Sequence, residues 1–289
     1  MQQSPISIKQ KISQTGAFFW RITAYNRCGQ ATQSEVNQFT LIDPKETGDL
    51  LLWFNSNTLA LNDKQKISLW NNNGTTNYNA TQNNSLYQPT YILDAKQIKS
   101  SCVDFTNNYL TLGNHLNVDS IRTLFIIARQ RTFINYPWFV SKGFNSDGAF
   151  AIGTDASTTK VRLYADEFYQ TTTYNTDTNW HIYQVSLSRD SIYLYSNGKN
   201  AAIYKHGKDL LGSNSSDFRI GACAQYNSYL NGQIAEILLF RDSIGREKEK
   251  SIETYLHDKY SPPVELFADL QVTYGFSDTI INAYKPWFK

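Results

Sequence analysis

The chain has 289 residues, with 27 Lys and Arg against 25 Asp and Glu, a net charge of +2. So balanced a surface offers no field to steer nucleic acid or an anionic membrane. With 41 % hydrophobic residues the chain can bury a sizeable core, and its 19 Tyr and 16 Phe, among many Asn, Ser and Thr, favour strands joined by polar loops. No apolar run reaches the roughly 18 residues of a membrane-spanning helix, so no membrane insertion is expected. Met1-Gln2-Gln3-Ser4-Pro5 lacks the basic start and apolar stretch of a secretory signal, so any export signal is expected outside this chain.

In chain order, two strand-like runs come first, residues 18–25 and 36–42, separated by the turn Asn26-Arg27-Cys28-Gly29. Some forty residues with a few strands cannot close a sandwich core alone. The aromatic pair Phe18-Phe19, then Trp20-Arg21, Ala24, Asn26, Ser34-Glu35-Val36 and Phe39-Thr40, resembles the last strands of a fibronectin type III domain. Residues 1–43 are therefore expected to be the C-terminal part of such a domain.

The main body, 44–261, shows short strands with turn signals between them. Leu50-Leu51-Leu52-Trp53-Phe54 opens it, and a polar, Asn-rich stretch follows over 71–85. Residues 123–128 are apolar on both faces, which predicts a central strand. Tyr183, Val185 and Leu187 alternate with Gln184 and Ser186, the pattern of one buried face. Ile192 and Leu194 continue on the next strand, and Asn197-Gly198 marks a hairpin turn. Residues 234–240 form the last long strand. Ile252, Tyr255 and Leu256 then fall at helical spacing between Gly245 and Tyr260. The run Arg246-Glu247-Lys248-Glu249-Lys250 alternates in sign and reads as a solvated helix face. Ser261-Pro262-Pro263 stops the helix, so 262–289 are expected to be a linker and the start of a further β module. The fold predicted is all-β: a two-sheet antiparallel jelly-roll sandwich with one C-terminal helix.

The order of motifs carries a resemblance. Ser68-Leu69-Trp70-Asn71-Asn72 and Asn79-Ala80-Thr81-Gln82 precede Val103-Asp104-Phe105-Thr106-Asn107-Asn108-Tyr109-Leu110. Asn179-Trp180-His181 leads into Tyr193-Leu194-Tyr195-Ser196-Asn197-Gly198-Lys199, and Phe218-Arg219-Ile220-Gly221 into Leu230-Asn231-Gly232-Gln233-Ile234-Ala235-Glu236-Ile237. Together they resemble the laminin-G-like members of the concanavalin A-like lectin/glucanase superfamily, with Thr106 where glycine is usual. The resemblance implies two antiparallel sheets packed face to face. Val272-Thr273-Tyr274-Gly275-Phe276 resembles the start of a repeat in large secreted proteins of gliding-type bacteria.

The superfamily includes glycosidases, which place two carboxyl groups on one cleft. No Glu-x-Asp-x-Glu run occurs here, and Asp166 and Glu167 are adjacent and would point to opposite faces. Glu236, alone on its strand, is expected to anchor a buried donor. His115, His181, His206 and His257 are not spaced for a shared metal, and packing is the expected role of His181. Cys102 and Cys223 fall in one domain; one disulfide and two separate buried thiols are both open readings, the second preferred. Laminin-G relatives often hold Ca²⁺ at a loop rim, and Asn145, Asp147 and Asp155 are the candidate ligands, with Asp104 and Asn107 in similar loops. Sugar binding needs aromatic faces beside amides, and three loops offer them. Tyr226, Asn227 and Tyr229 are the first choice, with Tyr136, Trp138 and Tyr169 as the further candidates; the alternative, that these aromatics close the sandwich ends, stands at least equal for Trp138. The expected function is a non-catalytic glycan- or polysaccharide-binding, adhesive module, monomeric within a larger secreted or cell-surface chain. A ligand-free spacer and a divergent glycosidase are the alternatives.

Overall fold

The computed structural model describes residues 15–260 apart from Lys96, Lys99, Asn145, Glu167, Lys208, Asp209, Leu211, Tyr226 and Asn227. The module expected over 262–289 lies outside the described residues. Four short strands come first, β1 (Gly16–Trp20), β2 (Thr23–Tyr25), β3 (Ala31–Gln33) and β4 (Asn37–Leu41), pairing as β1 with β4 and β2 with β3. Phe19, Trp20, Ile22, Tyr25 and Val36 in this region stay exposed.

The sandwich follows. β5 (Leu50–Asn55), β6 (Leu69–Trp70), β7 (Ala80–Thr81), β8 (Thr90–Ala95), β9 (Ser100–Thr106) and β10 (Leu110–Gly113) precede the long β11 (Thr123–Gln130). A meander of β12 (Trp138–Lys142), β13 (Phe150–Thr154), β14 (Lys160–Ala165) and β15 (Phe168–Asn175) leads to β16 (His181–Leu187), β17 (Ser191–Ser196) and β18 (Lys199–Lys205). β19 (Phe218–Ile220), the short β20 (Ala222–Cys223) and β21 (Ser228–Tyr229), and β22 (Asn231–Phe240) come before α1 (Arg246–Tyr260). One sheet runs β15-β14-β13-β12-β19-β10-β7-β6, and the other β18-β17-β16-β11-β22-β9-β8, with β5 also paired to β22.

Side-chain alternation sets the layers. Phe139, Phe150, Leu163 and Phe218 of the first sheet meet Phe105, Ile126, Tyr183 and Ile237 of the second in one buried core. β11 sits between β16 and β22. Its Leu124, Ile126 and Ala128 face that core, while Phe125 and Ile127 face a second one, built with Trp180, Leu238, Ile252 and Leu256 beneath the helix. The strand's apolar character on both sides follows from this double burial. The Asn-rich stretch edges β5: the Asn72 side chain accepts from Trp53 N at 2.7 Å and donates to Leu51 O at 2.9 Å, taking the place of a neighbouring strand. At the β17–β18 hairpin, Asn197 and Gly198 both take positive φ, 51° and 73°, as the tight turn requires.

Two expectations change. The polar face of β16 is buried, because the start of α1 lies on it: Ser186 Oγ donates to Glu249 Oε1 at 2.6 Å. Arg246, half-buried, turns onto the sheet, stacking 4.4 Å from the Tyr195 ring and pairing with Glu249 and Glu253. Glu247, Lys248 and Lys250 stay exposed, as a solvated face requires, while Arg246 and Glu249 form an interface with the sheet. Cys102 and Cys223 are separate buried thiols, and burial raises the Cys102 pKa. Among the described residues no helix is long and apolar enough to cross a membrane.

His181 is a structural clamp. Its Nε2 lies 2.8 Å from Asp177 Oδ1 and its Nδ1 3.0 Å from Asn197 Nδ2, which ties the start of β16 to the hairpin turn. Burial lowers its pKa, against the opposing pull of Asp177. A histidine held neutral in the fold contributes stability that is present above the unfolded pKa of about 6.5 and is lost as pH falls below it. The urea midpoint should therefore drop between pH 7.5 and pH 5.5, and His181→Asn should flatten that slope. An unchanged slope in the variant would remove His181 from the account.

Candidate functional site

The face of the first sheet turned away from the core carries a cleft of about 560 Å³ near its β15 end. Strand alternation builds it. On β14, Val161, Leu163 and Ala165 point into the core, so Arg162 and Tyr164 stand on the other side. β13 offers only Ala151 and Gly153 there. A Cβ on Gly153 would meet Pro137 O at 2.1 Å, so glycine lets the 136–138 segment lie against the sheet, where Thr154 N donates to Pro137 O at 2.9 Å. Asn135 and Tyr136 both adopt positive φ, 59° and 52°, and turn the chain so that Tyr136 and Trp138 enter the same cleft.

The lining is aromatic around one cation. Trp138 packs on Phe144 at 5.3 Å and Tyr164 at 5.9 Å, and Tyr164 on Tyr169 at 4.7 Å. The Arg162 guanidinium lies 3.7 Å from the Trp138 ring and 4.6 Å from that of Tyr136, and Nη2 donates to Tyr136 O at 3.0 Å. Tyr136 and Tyr169 are 44 % and 43 % exposed, whereas Trp138 is 2 % exposed. The two tyrosines therefore offer free ring area at the mouth, and Trp138 is a buried wall. Burial pushes the Tyr169 hydroxyl pKa up, so it remains a donor at neutral pH.

Three sequence candidates from two loops, Tyr136 and Trp138 from one and Tyr169 from the other, are brought together here, with Asp155 beside them. Tyr226, Asn227 and Asn145 lie outside the described residues. Tyr229 sits on the far side of the β20–β21 hairpin, 6.4 Å from Tyr109, whose ring carries the Arg219 guanidinium at 4.3 Å. Its neighbour Ser228 lines the cleft. The two aromatic groups lie on one cross-strand row, Thr111, Arg219, Ser141, Ala151, Tyr164 and Tyr169, whose middle members Ser141 and Ala151 are fully buried beneath the β20–β21 hairpin. At roughly 4.8 Å per strand this row spans about 24 Å. Arg162 was not among the sequence candidates; an arginine in Lys-Val-Arg-Leu-Tyr reads as an ordinary solvent-facing strand residue.

Among the described residues, the calcium candidates Asp147 and Asp155 do not come together. Asp147 precedes β13 and Asp155 follows it, so the two stand at opposite ends of one strand. Asp155 Oδ1 accepts from the backbone N and hydroxyl of Ser157 and of Thr158, at 2.5 to 3.2 Å. Burial pushes its pKa up, but these bonds together outweigh that and hold it below the usual carboxylate value. Asp147 faces Asp166 across Gly212, where a Cβ would lie 2.3 and 2.5 Å from their Oδ1 atoms. Asp104 pairs with Arg131, and Asn107 occupies a turn at φ 55°. Calcium takes six to eight oxygens, and no three acidic, His or Cys side chains gather among the described residues. Asp147 and Asp155 therefore do not share one ion, and no step below uses calcium.

Glu236, fully buried, lies beneath α1 on the other sheet. It accepts from Trp53 Nε1, Tyr255 OH, Lys259 Nζ and Tyr260 OH. This is the anchoring role expected of it.

Among solved structures, the chain is similar to Trypanosoma rangeli sialidase in complex with sialic acid, at 9 % identity and a TM-score of 0.48. That alignment covers 74 % of this chain and 34 % of the sialidase, so the chain spans about a third of that relative. It is also similar to domain 4 of AbnA, a GH43 extracellular arabinanase from Geobacillus stearothermophilus, in complex with arabinotriose, at 11 % identity and a TM-score of 0.47, covering 74 % of this chain and 98 % of that domain. The Ruminococcus gnavus IT-sialidase CBM40 bound to α2,3-sialyllactose aligns at 12 % identity and a TM-score of 0.39, over 47 % of this chain and 84 % of the module. No curated protein matches the chain. The model of one family, laminin G of the concanavalin A-like lectin/glucanases superfamily, matches residues 94–248. That is more than half of the sequence, and the chain belongs to the concanavalin A-like lectin/glucanases superfamily.

Proposed function

We propose that the chain is a non-catalytic glycan-binding module, and that the Tyr136–Tyr169 cleft is its ligand site. The observation that carries this reading is the pairing of two half-exposed tyrosine rings over a preformed floor of Trp138, Arg162 and Tyr164. Aromatic faces stack on the C–H faces of sugar rings, and the fixed donors beside them take hydroxyls. Hydrolysis would need two carboxyl groups across the bond. Asp155 is the one carboxylate among the described lining residues, and its Oδ1 is taken by its own turn.

The wider setting belongs to the same proposal: a secreted or cell-surface adhesive chain in which residues 1–43 are part of a fibronectin type III-like domain. Its support is the motif order together with the exposed Phe19 and Tyr25, at 66 % and 72 %.

A glycan array followed by titration calorimetry tests the site. Tyr136→Ala and Tyr169→Ala should each weaken the best ligand about tenfold, with the unfolding midpoint unchanged. Absence of binding across a broad array would overturn the reading in favour of a ligand-free spacer.

A further inference from the structure

We propose that the glycan carries a carboxylate and that Arg162 binds it; this rests on the glycan-binding reading of the cleft. Arg162 is 5 % exposed, yet lines the cleft. Of its five N–H donors, one reaches Tyr136 O, and Nε is buried with no partner. No carboxylate of the described residues lies within ion-pair distance of it. Among the other arginines of the sandwich, Arg131 pairs with Asp104 and Arg246 with Glu249 and Glu253, while Arg122, Arg129 and Arg219 have no carboxylate partner among the described residues but are only half-buried; of the described arginines Arg162 alone is buried. A desolvated cation left with one hydrogen bond is unfavourable unless something completes it.

The geometry points to what completes it. The guanidinium lies against the Trp138 and Tyr136 rings, 3.7 and 4.6 Å from their centres, with Nη2 bonded to Tyr136 O. Its position is therefore fixed before any ligand arrives, and a planar fork held this way suits a planar, two-oxygen acceptor. Neutral hydroxyls would satisfy donors but leave the charge uncompensated in a partly dry site. Asp155 lies in the same cleft, but its Oδ1 already takes four hydrogen bonds from its own turn. Burial, the largest influence, lowers the Arg162 pKa while the nearby Tyr164, Asp155, Tyr169 and Tyr136 raise it, a balance consistent with a cation short of a counter-charge.

A uronic acid and a nonulosonic acid share this chemistry, so both are tested on the intact chain by calorimetry. The probes are trigalacturonate and an N-acetylneuraminate-capped trisaccharide, each beside its methyl ester. The expected result is at least tenfold tighter binding of one free acid than of its ester, with the gap narrowing at 0.5 M salt. In Arg162→Gln the acid and ester should bind equally. If Arg162→Gln fails to fold, the acid–ester comparison on the parent chain still decides. Equal affinity for acid and ester overturns the carboxylate assignment and leaves glycan binding standing. No binding of either, with no hit on an array of neutral and acidic glycans, overturns both.

Discussion

Glu236→Ala is expected to lower the unfolding free energy by about 3–5 kcal/mol, the range for breaking a buried ion pair from one side. The carboxylate is fully buried, and its two oxygens hold four donors: Oε1 those of Trp53 and Tyr255, Oε2 those of Lys259 and Tyr260. Removing it strands an ammonium and three neutral donors at the seam between β5, β22 and α1. Burial first, and the Glu236 charge next, raise the pKa of both tyrosines, so they remain donors throughout the neutral range. Glu236→Gln keeps the volume and one acceptor, and its loss should be smaller, about half. The urea midpoint read by tryptophan fluorescence measures both. Faster proteolysis of the 241–260 segment should accompany the alanine change, because the helix also docks through Ile252 and Leu256 but loses its polar anchor. A midpoint shift worth less than about 1 kcal/mol would show that apolar packing alone seats the helix.

How far the sequence reached can be judged on particular residues. The central position of β11 was legible because a strand buried on both faces cannot alternate. The β17–β18 turn was legible because Asn-Gly is a local solution to a local geometry. Glu236 was legible as an anchor because an isolated acid in an apolar strand has few other uses. Arg162, Arg246 and Glu249 were not. Alternation tells which face of an element a charge occupies, but not whether another element will cover that face. Arg162 becomes buried only because the Tyr136–Trp138 segment, 26 residues earlier, folds over it across Gly153. Arg246 becomes an interface residue only because α1 begins above Tyr195. The cleft's aromatics were identifiable one by one as loop residues, but their convergence depends on the β12–β15 meander. Trp138 shows the limit most plainly: its type suggested a stacking platform, and its surroundings make it a wall.

That wall sets the second large effect. Trp138→Ala should lower stability by about 3–5 kcal/mol, the usual range for deleting a buried indole, and should also weaken glycan binding about tenfold at temperatures where the variant is folded. The stability loss follows from burial: Trp138 forms a satellite cluster with Ala151 and Cys223, closed by Phe144 and Tyr164, apart from the inter-sheet core. The binding loss has another origin. Arg162 owes its fixed position to the indole face at 3.7 Å, and without it the guanidinium regains side-chain freedom that a ligand must then remove. Trp138→Phe separates the two effects, because a smaller ring restores most of the packing and part of the cation–π contact. It should recover more than half of the stability and leave an intermediate affinity. Because the cluster stands apart from the main core, the added hydrogen exchange in Trp138→Ala should concentrate on β12 to β14 and spare β11 and β22. Exchange that rises evenly across both sheets would instead place Trp138 in the global core, and affinity that survives in the alanine variant would show that Arg162 is held by the Tyr136 carbonyl alone.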